Sequence, residues 1–108
     1  MTDTTPKTWI DLCAEGEIAD GQTLGLRHGE KWIALYRLGD EIFASDNICP
    51  HAFALLSDGW LEDGVIECPL HGALFDIRTG EVKRGPAECA IRRHPVRLIN
   101  GRVLVELD

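Results

Sequence analysis

The chain has 108 residues, of which 44% are hydrophobic, and 18 acidic against 11 basic side chains give a formal charge of −7. That length suits one domain spanning residues 1–108 with a modest core, and the acidity argues against a nucleic-acid partner, whose binding face is basic. Such acidity serves solubility and also steers a surface onto a basic partner protein.

No apolar run approaches the roughly 20 residues that cross a bilayer. Residues 1–7 lack the basic start and apolar stretch of a secretion signal. The expectation is a cytoplasmic protein that reaches no membrane by itself. In that compartment thiols stay reduced, so the four cysteines point to metal or redox chemistry before a disulfide framework.

Glycine, in most places beside Asp or Asn, punctuates the chain at Asp20-Gly21, Gly29, Gly39-Asp40, Asp58-Gly59, Asp63-Gly64, Thr79-Gly80 and Asn100-Gly101. The short stretches between them are rich in branched and aromatic residues, which predicts an all-β chain. Lys31–Leu38 and residues 41–45 flank Gly39-Asp40 as one hairpin. No convincing helix appears; the best candidate, residues 50–56, is too short to stand on its own pattern. Val96–Ile99 and Arg102–Leu107 flank Asn100-Gly101 as a second hairpin, because both turn positions must accept positive φ. In the last of these strands Val103, Val105 and Leu107 share one face, and Arg102 and Glu106 the other. No repeat, linker or low-complexity segment interrupts the pattern.

Two segments carry the chemistry: Cys49-Pro50-His51 and Cys68-Pro69-Leu70-His71-Gly72, with 16 residues between His51 and Cys68. Two thiolates and two imidazoles in paired clips suit zinc, copper or an iron–sulfur centre. A tetrahedral zinc site takes ligands two to four residues apart within a clip. A single intervening residue in Cys-x-His is awkward for chelating one ion and easier if the two side chains reach different metals. A two-iron cluster provides that, with Cys49 and Cys68 on one iron and His51 and His71 on the other.

Cys-x-His followed by Cys-x-x-His-Gly resembles the Rieske motif, and the match extends past the ligands. The runs Cys49-Pro50-His51-Ala52-Phe53-Ala54-Leu55-Leu56-Ser57-Asp58-Gly59 and Glu67-Cys68-Pro69-Leu70-His71-Gly72-Ala73-Leu74-Phe75-Asp76 resemble the soluble Rieske ferredoxins of bacterial ring-hydroxylating dioxygenase systems. Gly85-Pro86 falls where that family has a proline loop closing over the cluster. The resemblance implies one [2Fe–2S] cluster and a Rieske-type β-sandwich of antiparallel strands with a small cluster-binding subdomain at about residues 46–86. Gly72 and Pro86 would lie against the cluster, Gly72 because a residue without Cβ lets backbone N–H groups approach the sulfurs.

The chain departs from the high-potential branch of that family. Where that branch has an extra cysteine in each clip, joined as a disulfide, this chain has Ala54 and Leu70. Where it has a serine and a tyrosine whose hydroxyls bond to cluster sulfurs, this chain has Ala73 and Phe75. Donors aimed at the sulfurs favour the reduced state, so their loss predicts a potential nearer about −150 mV than about +300 mV.

The resemblance further implies a one-electron carrier that is not itself an enzyme. A flavin-containing, NAD(P)H-dependent reductase would reduce it, and a terminal Rieske oxygenase would accept the electron. His51 and His71 would form the exit, ringed by a docking face of Pro50, Ala52, Phe53, Leu70 and Pro86, on a chain expected to be monomeric. An electron-transfer subunit fixed in another oxidoreductase, of nitrite reductase or monooxygenase type, is the alternative, and a structural zinc module is a more distant one.

The remaining candidates read as structural. Cys13 and Cys89 have no partner at ligand spacing and are expected to be small buried or half-buried thiols. His28 and His94 are expected at the surface. Trp9, Trp32 and Trp60 are expected in core or rim packing, and Phe53, Leu55, Leu70 and Phe75 as a dry collar around the cluster.

Overall fold

The computed structural model describes residues 8–49, 54–70, 72–85 and 90–107. Strands β1 (Thr8–Ala14), β2 (Thr23–His28), β3 (Lys31–Leu38) and β4 (Glu41–Asp46) are followed by β5 (Trp60–Glu62), β6 (Val65–Glu67), β7 (Leu74–Asp76) and β8 (Val82–Arg84). The chain closes with β9 (Arg93–His94), β10 (Val96–Ile99) and β11 (Arg102–Leu107). They form three antiparallel sheets, ordered β1-β11-β10, β2-β3-β4-β9 and β5-β6-β7-β8.

Both expected hairpins form. Leu38 pairs with Glu41 across Gly39-Asp40, and Ile99 pairs with Arg102 across a turn in which Asn100 and Gly101 have φ of 50° and 76°. Asp63-Gly64, with φ of 51° and 78°, turns β5 into β6 in the same way, since two positive φ values match the twist of the paired strands.

β3 explains how the layers stack. Ile33, Ala34, Leu35 and Tyr36 are all fully buried, and their side chains alternate between two cores. Ile33 and Leu35 join Cys13, Ile18, Ile42, Ala44, Val103, Val105 and Leu107. Ala34 and Tyr36 join Cys49, Leu56, Ile66, Cys68, Ala73, Phe75, Ile77 and Ile91. A strand covered on both faces reads as a continuous apolar run. The first core lies between the outer β1-β11-β10 sheet and the central sheet, and it buries the Val103, Val105 and Leu107 face. The second joins the central sheet to the small β5–β8 sheet and contains both motif cysteines.

Several expectations need correction. His94 is buried, not at the surface: its Nε2 lies 2.7 Å from the Asp46 carboxylate, because β9 pairs with β4 and faces inward. Trp60 is 63% exposed and belongs to neither core among the described residues, so of core and rim only the rim is left to it. Leu70 is exposed, so it does not belong to a dry collar, whereas Phe75 is fully buried. Residues 54 and 55 are not helical; a single 3-10 turn follows at Leu56–Asp58. Cys13 is buried as expected, and burial raises its thiol above its ordinary pKa. Among the described residues no helix is long and apolar enough to cross a membrane.

Candidate metal centre

Each clip begins where a strand ends, and both close with the same hydrogen bond. Past β4, the Cys49 N–H donates to the Ala54 carbonyl at 2.9 Å. Past β6, the Cys68 N–H donates to the Ala73 carbonyl at 2.8 Å. In both cases donor and acceptor are five residues apart, so the two loops present their cysteines equivalently. The first loop is buttressed by a bridge between Ile48 and Leu55. The second is bounded by Gly72 at φ 71°, the left-handed region that favours glycine, whose carbonyl accepts a 3.0 Å hydrogen bond from Arg84 Nη2. Arg84 Nη2 also lies 3.4 Å from where a Cβ on Gly72 would stand, so the clip and β8 fit closely there.

Cys49 and Cys68 are brought together. They are 2% and 0% exposed, belong to one packed cluster, and neither is in a disulfide. Burial pushes the Cys68 thiol up to about 11, the Leu70 N–H opposes this by bonding to the sulfur, and the adjacent Cys49 sulfur adds to it. Buried beside a second sulfur in an apolar interior, the Cys68 sulfur is poorly placed to be a thiolate unless a cation joins it. A metal centre supplies that charge and deprotonates its thiols outright. The donor set therefore fits a cluster anchored through Cys49 and Cys68, with the Leu70 N–H already directed at one anchoring sulfur. His51 and His71, together with Pro50, Ala52, Phe53, Pro86 and Cys89, lie outside the described residues.

Beside the clips the surface is apolar. Trp32, Ile48 and Leu70 are 39%, 43% and 41% exposed, and an open groove is lined by Trp32, Ile48, Ala54, Leu55, Asp58 and Pro69. Trp32 and Ile48 were not legible as site neighbours, because Trp32 reaches the clips only through strand pairing. Asn47 and Ser57, at the base of the first clip, were also missed; nothing in their spacing marks them.

Paired cysteine clips on stacked antiparallel sheets fit an iron–sulfur protein, and the chain belongs to the Rieske [2Fe-2S] domain family, which matches residues 8–95. It carries one Rieske-type [2Fe–2S] cluster and acts as an electron carrier, not as a catalytic subunit. It is 42% identical over 107 residues to the anthranilate 1,2-dioxygenase ferredoxin subunit of Burkholderia cepacia, covering 99% of both chains. Its fold matches the Sphingomonas yanoikuyae B1 ferredoxin with a TM-score of 0.88 at 33% identity, over 94% of this chain and 100% of that one. It also matches a chain from a complex of reduced oxygenase and oxidized ferredoxin in carbazole 1,9a-dioxygenase, with a TM-score of 0.85 at 34% identity, over 90% and 91% of the two chains.

Proposed function

We propose that this chain shuttles single electrons from an NAD(P)H-dependent flavin reductase to the terminal oxygenase of an aromatic-ring-hydroxylating dioxygenase system. The observation that carries the reading is the pair of buried, adjacent sulfurs of Cys49 and Cys68, held at the same place in two identically closed loops. When bound, the cluster takes up and gives up one electron. Cys49 and Cys68 would hold one iron and His51 and His71 the other, with Gly72 and Pro86 as the residues beside the cluster.

The protein's own residues set the energetics. Ala73 and Phe75 offer no hydroxyl to the sulfurs, so the potential lies toward the low end of the Rieske range. His51 and His71 form the exit. Pro50, Ala52, Phe53, Leu70 and Pro86 would make up the docking face around it, and the exposure of Leu70 supports this. Contacts there are small and short-lived, as in transient redox encounters. The chain works as one cytoplasmic, monomeric domain over residues 1–108, with its cluster-binding part at about 46–86.

Rapid mixing of the dithionite-reduced protein with an oxidised terminal Rieske oxygenase tests this reading. The expected result is transfer of one electron per chain, slowed about tenfold or more in Leu70→Asp beyond what its measured shift in potential accounts for, since a charge forced into an apolar contact must be desolvated. Failure to reduce any such oxygenase, with the cluster intact, refutes it.

A further inference from the structure

The base of the first clip is closed by one side chain that the electron-transfer reading does not use. Asn47 is 1% exposed, and each of its polar groups is engaged. Its backbone N–H donates to the Trp32 carbonyl at 2.9 Å, and its carbonyl accepts from the Leu56 N–H at 2.7 Å. Its Oδ1 accepts from the Ser57 N–H at 2.8 Å, and its Nδ2 donates to Ser57 Oγ at 2.9 Å. The Ile48–Leu55 bridge and the Cys49–Ala54 hydrogen bond continue the same closure toward the metal end.

The turn that Asn47 grips also touches the second clip. Leu56 is fully buried in the cluster that contains Cys49 and Cys68. Gly59, which ends the turn, lies so close to the Glu67 carbonyl that a Cβ there would collide with it, and Glu67 immediately precedes Cys68. On the outer side Thr23 Oγ1 donates to the Ser57 carbonyl at 2.9 Å, and a Cβ on Gly25 would run into Ser57 Oγ. The segment from Leu56 to Gly59 is thus wedged between β2, the base of the first clip and the base of the second. Among the described residues no covalent bond does this work: Ala54 and Leu70 stand inside the clips, and Cys49 and Cys68 are not in a disulfide.

We propose that Asn47 is a positioning residue for the cluster: acting through Ser57 and the 56–59 turn, it fixes the separation and register of the two clips. The inference rests on the assignment of Cys49, His51, Cys68 and His71 as ligands. Truncating Asn47 leaves the Ser57 N–H without its buried acceptor and frees the turn that spaces the clips, so both cluster retention and the uniformity of its surroundings depend on it.

The test uses the cluster-loaded protein, with Asn47→Ala and Ser57→Ala compared with Val103→Ala, a truncation in the other core. Iron release to a chelator, followed well below the unfolding midpoint, is expected to accelerate about tenfold or more in Asn47→Ala, equivalent to about 1.4 kcal/mol. Ser57→Ala, which keeps its backbone N–H, is expected to fall in between. Both should broaden the EPR lines of the reduced cluster, because a loosened clip samples several geometries. Val103→Ala should lower the unfolding midpoint while leaving release rate and line width unchanged. Release and line widths in both site variants that match those of Val103→Ala overturn the proposal. If Asn47→Ala does not fold, Ser57→Ala decides on the same two readouts. Cys68→Ser separates the underlying assignment: retention of the native spectrum there refutes the ligand set itself, whichever way the Asn47 result falls.

Discussion

Placing a hydroxyl at residue 73 should raise the reduction potential without disturbing the ligands. Ala73 is fully buried in the cluster of side chains that includes both cysteines, and its carbonyl is fixed by the Cys68 N–H. Ala73→Ser therefore adds one donor in a dry, ordered position next to the sulfurs. A hydrogen bond to a charged acceptor contributes about 1.5–3 kcal/mol. Only the part that strengthens on reduction moves the potential. If about half does, the gain of about 0.75–1.5 kcal/mol corresponds to roughly 30–65 mV for one electron, at about 59 mV per tenfold. Phe75→Tyr, also at a fully buried site, should act in the same direction, with overpacking costing about 1–3 kcal/mol of stability. Protein-film voltammetry reads the shift, and the visible spectrum reports that the cluster is intact. An unchanged or lowered potential in Ala73→Ser with an intact cluster would refute the argument that missing hydroxyls keep this potential low.

Two further predictions concern stability. Burial raises the Tyr36 phenol far above its ordinary value of 10.0, partly opposed by its 2.7 Å hydrogen bond with Ser45 Oγ. The folded protein thus holds that proton more tightly than the unfolded chain does. Stability is undiminished below about pH 10 and falls above it by about 1.4 kcal/mol per pH unit. Tyr36→Phe should remove that component of the alkaline slope in denaturant titrations while costing about 0.5–1.5 kcal/mol at neutral pH; an unaltered slope would contradict it. His94→Ala deletes a buried ring bonded to Asp46 and should cost about 1–3 kcal/mol, whereas a surface histidine would cost within about 0.5 kcal/mol; urea unfolding discriminates between the two.

The contrast between His94 and the hairpins shows what the sequence could reveal. Asn100-Gly101 and Gly39-Asp40 were legible because positive φ restricts which residues serve there. The all-β class followed from the strands between such turns. β5 to β8 are three residues each, too short for a period of two to register. β9 is only two residues long, and the inward face of His94 depends on pairing with β4 some 50 residues earlier, a relation that local pattern does not contain. The same holds within the site. The proposed ligands Cys49, His51, Cys68 and His71 stand out by donor type and spacing, since few ligand sets place one residue between thiolate and imidazole. Asn47 and Ser57 do not, because a clasp made by one amide has no periodicity or motif. Trp32 joins the surroundings of the clips only once β3 and β4 are paired, and Trp60, equally aromatic in the sequence, is left largely in water.

The central claim is that two cysteines and two histidines of this chain share one two-iron cluster. Pulsed EPR of the dithionite-reduced protein tests it most directly, because the unpaired spin couples strongly to nitrogen where imidazole binds the metal and only weakly to peptide nitrogens beside the sulfurs. The account predicts a coloured protein that is EPR-silent when oxidised and, after one-electron reduction, gives one signal with couplings from two imidazole nitrogens, both sets lost on replacing His51 and His71. A reduced signal without strong nitrogen couplings, or a colourless protein carrying zinc, would contradict it.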